Sequence, residues 1–242
     1  DELKAMQRAG KVVAQAHALV RELVRPGATT WDLDRAVEEF ILKQNAIPAF
    51  KGYQGYPASI CTSVNEVVVH GIPSQEEVLE EGSIISVDIG AFVDGFCGDS
   101  AWTYPVGEIS PDVQLLLDTT EEALFQGIEQ ARVGNRLSDI SHAVQRRAEE
   151  RGFSVVRDFV GHGIGRQMHE APQIPNFGPP GRGPRLKSGM TLAIEPMVNV
   201  GGYHVEVLAD NWTVVTRDRS WSAHFEHTVA ITDEGPVILT TL

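Results

Sequence analysis

The chain has 242 residues, 42% of them hydrophobic, so it is long enough to bury one large core. Its net charge of −13 disfavours non-specific binding to nucleic acid, because phosphates repel an acidic surface. No apolar stretch approaches the roughly 20 residues of a membrane-spanning helix, and no apolar leader opens the sequence. Two cysteines cannot build a disulfide framework, so we expect a cytoplasmic protein. The length allows one large core or at most two small domains, and we expect a single domain over residues 1–242.

In chain order, the sequence predicts two helices followed by strands, and then the same succession a second time. Apolar residues recur at helical spacing in the predicted helices. The first half is predicted to have helices at about 3–24 and 30–44 and strands at about 58–64, 83–92 and 95–104. The second half is predicted to have helices at about 111–131 and 139–151 and strands at about 191–200, 205–215 and 224–232.

Cap and turn residues define the ends of these helices. Thr29, with Asp32 three residues later, forms a capping-box pattern before the second helix. Ser138 is predicted to open the fourth helix. Gly27 and Gly134 follow the first and third helices, and we expect them to stop those helices.

A degenerate internal repeat supports the division into two halves. A shift of 107 residues superposes these pairs: Arg25 and Arg132, Gly27 and Gly134, Asp32 and Asp139, Ala36 and Ala143, Val37 and Val144, and Asp88 and Glu195. With 20 further residues inserted, Asp99 meets Glu226. The predicted fold class is α+β, with two pseudo-twofold ααβ halves at about 1–105 and 106–242, helices outside and a curved, mostly antiparallel sheet inside.

Two aspartates are predicted to lie on one face of a hairpin. The dipeptide Asp94-Gly95 predicts a two-residue turn, which sets the register of the strands around it. The predicted cross-strand partners are Asp88 with Ala101 and Asp99 with Gly90. In that register Asp88 and Asp99 are diagonal neighbours, roughly 7–8 Å apart at the backbone. Two like charges at this range repel each other unless a cation lies between them.

Five acid and imidazole residues are candidate metal ligands: Asp88, Asp99, His162, Glu195 and Glu226. They are too many for a single closed zinc site and suit two divalent cations held side by side. The charges of two such cations and four carboxylates cancel, so a bridging hydroxide adds little net charge. The reaction that this arrangement favours is metal-assisted hydrolysis, with His70 and His169 as candidates to donate hydrogen bonds to a carbonyl or an oxyanion.

The motifs GYQGYPASICTSVNEVVVHGIP, VDIGAFVDGFCGDSAWT, GHGIGRQMHEAPQIPNFG, IEPM and FEHTVAIT resemble those of the methionine aminopeptidases of the short bacterial type, which have the pita-bread metallopeptidase fold. The resemblance extends from about residue 6 to residue 238. Glu195 follows His169 by only 26 residues, which leaves no room for the helical insertion of the longer, second type.

The resemblance implies roles for individual residues. The five candidate ligands match the family's dinuclear metal site, and Glu195 also matches a proposed general base. His70 and His169 match residues that hold the scissile carbonyl and its transition state. The residues that match positions around the side-chain pocket are Tyr53, Tyr56, Cys61, Met168 and Trp212, with Met168 standing where some relatives have an aromatic residue. The residues that match a monovalent-cation site are Asn65, Val67 and Ser222.

From the resemblance we expect removal of N-terminal methionine from peptides and nascent chains with a small second residue. We also expect two divalent cations (Co, Mn or Fe), a monomer, and a transient contact with the ribosome. The alternatives are an Xaa-Pro peptidase of the same fold and a catalytically silent peptide-binding module. A thiol protease built on Cys61 and His70 is a weaker alternative, because nothing in the sequence orders that pair. A loop carries three basic residues that we interpret as solvated, with contact to an acidic partner as the alternative: Arg182, Arg185 and Lys187.

Overall fold

The computed structural model describes residues 2–242, and its helices agree with the predicted ones to within two residues at each end. The helices are α1 Glu2–Leu23, α2 Thr30–Lys43, α3 Pro111–Glu129 and α4 Leu137–Glu150. The strands are β1 Ile47–Pro48, β2 Ile60–Val64, β3 Val67–Val69, β4 Ile84–Val93, β5 Phe96–Pro105, β6 Ser154–Val155, β7 Gly161–Gly163, β8 Glu170–Ile174, β9 Thr191–Ile194, β10 Met197–Asn199, β11 Val205–Val207, β12 Val214–Thr216, β13 Ser222–His224, β14 His227–Thr232 and β15 Gly235–Ile238. Among these residues, no helix is both long enough and apolar enough to span a membrane.

The helices cover the strands of their own half. Helices α1 and α2 share one apolar core with β4 and β5, whereas α3 and α4 share another with β9, β10 and β14. Helix α1 comes especially close to β5, because two glycines face each other there. A Cβ on Gly98 would lie 2.8 Å from the backbone nitrogen of Gly10, so a larger residue would push the helix off the strand.

One of the predicted caps is confirmed and the others are wrong. The Thr29 side chain accepts from the Asp32 N–H at 3.1 Å, and Asp32 accepts in return from Thr29. The fourth helix begins at Leu137 rather than after Ser138, because Asp139 accepts from the Arg136 N–H at 2.7 Å. The predicted stop residues Gly27 and Gly134 lie four and five residues beyond the ends of α1 and α3. Both have positive φ, and their N–H groups donate to the carbonyls of Leu79 and Leu186.

The predicted antiparallel architecture is confirmed, since every pair of strands is antiparallel. The strands divide among four sheets. The largest has the order β15-β14-β9-β7-β8, and the second has β1-β4-β2 with β5 paired to β4. The two three-stranded sheets have the orders β13-β10-β6 and β11-β12-β3.

The β4–β5 hairpin has the predicted register. Asp88 pairs with Ala101, and Gly90 pairs with Asp99, around the turn at Asp94-Gly95. The three long strands predicted in the second half are each interrupted. Two of these interruptions fall at candidate ligands, because β9 ends before Glu195 and β14 begins after Glu226.

A seam of hydrogen bonds joins β5 of the first half to β13 and β14 of the second. The Glu226 N–H donates to the Ala101 carbonyl at 2.9 Å. Two residues away, the Asp99 N–H donates to the Thr228 hydroxyl at 3.1 Å, and that hydroxyl donates to the Asp99 carbonyl at 2.8 Å. This seam brings one candidate carboxylate from each half to the same place.

Candidate metal centre and substrate cavity

One cavity of about 600 Å³ contains every candidate catalytic, metal-binding and pocket residue. These twelve residues are Tyr53, Tyr56, Cys61, His70, Asp88, Asp99, His162, Met168, His169, Glu195, Trp212 and Glu226. The cavity wall also includes residues that were not among the predicted site residues: Phe50, Gln54, Val160, Gly161, Glu170, Ala171 and Gln173.

The acidic end of the cavity is built by elements of both halves. Asp88 and Asp99 come from the β4–β5 hairpin, and His162 comes from β7. The side chains of Asp99, His162 and Glu226 each offer a ligand atom within 4.8 Å of the others. The Nε2 atom of His162 lies 3.4 Å from Glu195 Oε1 and 3.8 Å from Asp99 Oδ2.

The buried carboxylates repel one another in the absence of a cation. Burial raises the pKa of Asp88, Glu195 and Glu226 well above their ordinary values, and the neighbouring carboxylates raise those pKa values further. Burial also raises the pKa of Asp99 to about 7. Within residues 2–242, three buried carboxylate oxygens have no hydrogen-bond partner, and all three belong to this group: Asp88 Oδ1, Asp99 Oδ1 and Glu226 Oε1. Unpartnered buried oxygens are costly in an apo protein and are the natural ligands of divalent cations.

The imidazole of His162 is prepared to act as a ligand. Burial lowers its pKa to about 4, so the ring is neutral. Its Nδ1 lies 2.9 Å from the Gly163 carbonyl, which can only accept, and therefore the proton sits on Nδ1. The lone pair of Nε2 then faces Asp99 and Glu195. The donor set of four carboxylates and one imidazole thus fits divalent cations.

A second histidine, His224, belongs to this cluster and was missing from the predicted ligands. Its Nε2 atom lies 3.3 Å from Glu195 Oε2, and its ring is almost fully buried. Burial lowers its pKa to about 3. The spacing of His224 and Glu226 was an available signal, since residues two apart in an extended segment point to the same face.

Two further histidines lie at the border between the acidic and apolar parts of the cavity. The His169 ring is 4.2 Å from the His162 ring, and its Nδ1 lies 2.8 Å from the Tyr53 hydroxyl. The ring of His70 stands edge-on to Trp212 at 6.2 Å. Burial lowers the pKa of both histidines, to about 4 for His70, so both rings are neutral and carry one N–H each.

The rest of the cavity is an apolar pocket. Tyr56 packs edge-on against Trp212 at 5.0 Å, while its hydroxyl donates to the Ile60 carbonyl at 2.8 Å. Met168 and Cys61 are buried beside them. Burial and the nearby Asp88 raise the pKa of the Cys61 thiol well above its usual range, so it stays protonated. This argues against a thiol protease, whose nucleophile must be a thiolate.

The other predicted residues lie outside the cavity. The Ser222 N–H donates to the Asn65 carbonyl at 3.0 Å. Val67, two residues after Asn65, is the first residue of β3. The Ser222 hydroxyl is buried and, among the described residues, has no hydrogen-bond partner. The three basic loop residues are all exposed: Arg182, Arg185 and Lys187.

Comparisons with known proteins place the chain in a family. Residues 4–233 match the model of metallopeptidase family M24. The chain belongs to this family. The methionine aminopeptidase of Clostridium acetobutylicum is 57% identical to it over 239 residues, which cover 99% of this chain and 96% of that protein. The crystal structure of methionine aminopeptidase from Thermotoga maritima superposes with a TM-score of 0.98 at 51% identity, covering 100% of this chain and 97% of that one.

A more distant member of the fold bears on the Xaa-Pro alternative. An Xaa-Pro dipeptidase from Bacillus anthracis superposes with a TM-score of 0.80, but it is only 23% identical, and the match covers 61% of its chain. This likeness shows a shared pita-bread fold and nothing finer. The chain is therefore similar to the methionine aminopeptidases over nearly its whole length and to the Xaa-Pro dipeptidase in fold alone.

Proposed function

We propose that this chain hydrolyses the first peptide bond of peptides and nascent proteins that begin with methionine. The observation that carries the proposal is the single cavity in which five candidate ligands, three of them with an unpartnered buried carboxylate oxygen, adjoin an apolar, aromatic pocket. The near full-length similarity to methionine aminopeptidases supports it.

In this proposal Asp88, Asp99, His162, Glu195 and Glu226 hold two divalent cations. When bound, the cations lower the pKa of a water molecule and polarise the scissile carbonyl. Glu195 then carries the proton from the water to the leaving amine. His169 and His70 donate hydrogen bonds to the carbonyl oxygen, on which negative charge develops in the transition state.

The pocket accounts for the choice of methionine. Its aromatic rings suit a flexible thioether, and each contact between sulfur and a ring adds about 0.3–1.5 kcal/mol. The lining residues are Tyr53, Tyr56, Cys61, Met168 and Trp212. We also propose that the second residue must have a small side chain.

Finer features are part of the same proposal. The cations are cobalt, manganese or iron, and a monovalent cation binds near Asn65, Val67 and Ser222, where the buried Ser222 hydroxyl supports it. The protein is a cytoplasmic monomer that contacts the ribosome transiently. The whole chain acts as one domain of two pseudo-twofold halves, which is supported by the seam between β5 and β14.

Release of free methionine from the peptide Met-Ala-Ser tests the proposed function. Protein stripped of metal is assayed with and without added Mn²⁺, Fe²⁺ or Co²⁺. We expect release of methionine from Met-Ala-Ser that depends on a cation, no release from Met-Lys-Ser, and no cleavage of Ala-Pro-Ser. Cleavage of Ala-Pro-Ser in preference would favour the Xaa-Pro activity, and no release with any cation by folded protein would favour a silent binding module.

The substitution Tyr53→Phe tests how His169 is oriented. Gln54 Nε2 donates to the Tyr53 hydroxyl at 3.5 Å, so that hydroxyl is free to donate to His169 Nδ1 and to leave the ring proton on Nε2. Loss of one such bond costs about 1 kcal/mol, so we expect kcat to fall roughly fivefold to tenfold with KM almost unchanged. The control is Tyr203→Phe, which removes a hydroxyl outside the cavity. An unchanged kcat for Tyr53→Phe would disprove this orientation.

A further inference from the structure

His224 is a buried imidazole in the metal centre that the proposed mechanism does not use. Its backbone is held firmly, because its N–H donates to the Thr103 hydroxyl at 2.9 Å and that hydroxyl donates to its carbonyl at 2.8 Å. Its position on β13 is also paired with Met197 of β10. The ring Nε2 is buried and has no hydrogen-bond partner anywhere in the described chain. A rigidly placed imidazole with an unpartnered nitrogen calls for an explanation.

The atom that faces Nε2 is a carboxylate oxygen of Glu195. Oε2 lies 3.3 Å from His224 Nε2, and Oε1 lies 3.4 Å from His162 Nε2. The distance from Nε2 to Oε2 suits a hydrogen bond, but the direction of the N–H bond does not. A small rotation of the carboxylate aligns the two groups. The backbone of Glu195 is itself fixed, since Asn176 donates to its carbonyl at 3.1 Å.

The two imidazoles differ in what they can offer this carboxylate. His162 keeps its proton on Nδ1, which is bonded to the Gly163 carbonyl, so its Nε2 cannot donate to Oε1. No such carbonyl engages Nδ1 of His224 among the hydrogen bonds of residues 2–242, so its proton is free to sit on Nε2 and face Oε2. Oε1 of Glu195 therefore faces the lone pair of His162 Nε2, whereas Oε2 faces the N–H of His224.

We propose that His224 is a positioning residue, whose Nε2–H holds Oε2 of Glu195 and leaves Oε1 directed at the cations. This inference rests on the proposed function, because it assigns Glu195 to the reaction. It divides the two oxygens of one carboxylate between two tasks, and it keeps a group that must carry a proton from turning away from the substrate. The competing assignment is that His224 binds a cation directly, since its ligand atom lies within 4.8 Å of those of Glu195 and Glu226.

Two substitutions of His224 distinguish a role as a hydrogen-bond donor from a role in packing alone. Glutamine offers an amide N–H at a similar reach, whereas leucine fills similar volume without a donor. Loss of groups that orient a ligand typically costs 10- to 100-fold. We expect His224→Leu to lower kcat for Met-Ala-Ser about 30-fold with KM changed less than threefold, and His224→Gln to stay within about fivefold of wild type. His204→Leu, at an exposed histidine outside the site, is the matched control.

Two readouts do not depend on activity. The thermal midpoint of metal-free His224→Leu is expected to stay close to that of wild type, which shows that the loss of kcat does not come from loss of the fold. In ¹⁵N-histidine-labelled protein loaded with diamagnetic Zn²⁺, Nε2 of His224 is expected to carry a bonded proton, with the signal assigned by its loss in His224→Gln.

The outcomes distinguish the possibilities. Equal losses of kcat in the leucine and glutamine variants would overturn the role as donor. A proton-free, Zn²⁺-shifted Nε2 would overturn it in favour of a metal ligand. A protonated Nε2 in a wild-type protein that releases no methionine with any cation would instead overturn the proposed function and leave the contact with Glu195 standing.

Discussion

Replacing Glu226 by glutamine is expected to lower kcat/KM for methionine release at least about a thousandfold, even with cations supplied in excess. The side chain lies between the two candidate metal groups, one with Asp99 and His162 and the other with Glu195 and His224. The change removes a negative charge that faces both cations. Stabilisation of transition-state charge by bound metal contributes several kcal/mol, and each 1.4 kcal/mol corresponds to a factor of ten in rate.

The same substitution should stabilise the protein when metal is absent. Oε1 of Glu226 is buried without a partner among the described residues, and burial raises the pKa of this carboxyl well above its usual range. A neutral amide avoids the cost of ionising that group in the interior. We therefore expect the metal-free variant to melt above wild type at pH 8 and to gain less from Mn²⁺. The control is Glu234→Gln, an exposed carboxylate in the following turn. Wild-type cleavage by Glu226→Gln would rule out the proposed metal centre.

Removing the cations is expected to make the stability of the protein fall as pH rises from 6.5 to 8.5. The folded-state pKa values of the four carboxylates are raised, to about 7 for Asp99. Above the ordinary carboxylate pKa the unfolded chain has already lost these protons, while the folded chain still binds them. Folding is then favoured at low pH, and this contribution is lost as pH rises through the folded-state values.

Buried histidines oppose this trend only at lower pH. Burial lowers the pKa of His17, His70, His162 and His227 to about 4 and that of His224 to about 3. Below pH 6.5 the unfolded chain therefore binds more protons at these rings, and stability falls as pH decreases. Above about pH 7.5 the histidines are mostly neutral in both states, so the carboxylates then dominate the slope. We expect the metal-free protein to be most stable near pH 6 to 6.5.

Calorimetry with and without Mn²⁺ at pH 6.5 and 8.5 measures this effect. A cation at a hundred times its Kd adds about 2.7 kcal/mol, which corresponds to roughly 5–10 °C in Tm for a chain of this size. The gain should be larger at pH 8.5, where the cation compensates ionised carboxylates. A metal-free Tm that is flat or rises between these two pH values would contradict the proposed cluster.

Short-range patterns account for what was correctly predicted about the ligands. The turn at Asp94-Gly95 sets the register of the hairpin, and the two-residue period of a strand then places Asp88 and Asp99 on one face. The helices follow from apolar spacing in the same way. The errors lie where a neighbouring segment competes for a local group, as at Ser138, whose hydroxyl accepts from the Arg182 N–H at 2.7 Å instead of capping its own helix.

Sequence alone therefore determined the fold class, the elements of each half, the family and a list of candidate site residues, because these depend on local periodicity, turn chemistry and family motifs. Only the tertiary structure decided which of them meet and through which atoms. Two contacts arise from the packing of separate segments: that of His224 with Glu195, and that of Tyr53 with His169. Tyr53 and His169 are 116 positions apart in the sequence. The break that frees Glu226 from the ladder likewise depends on how the two halves join at their seam, where its N–H donates to the Ala101 carbonyl. Contacts of this kind have no period along the chain, so no spacing of residue types encodes them.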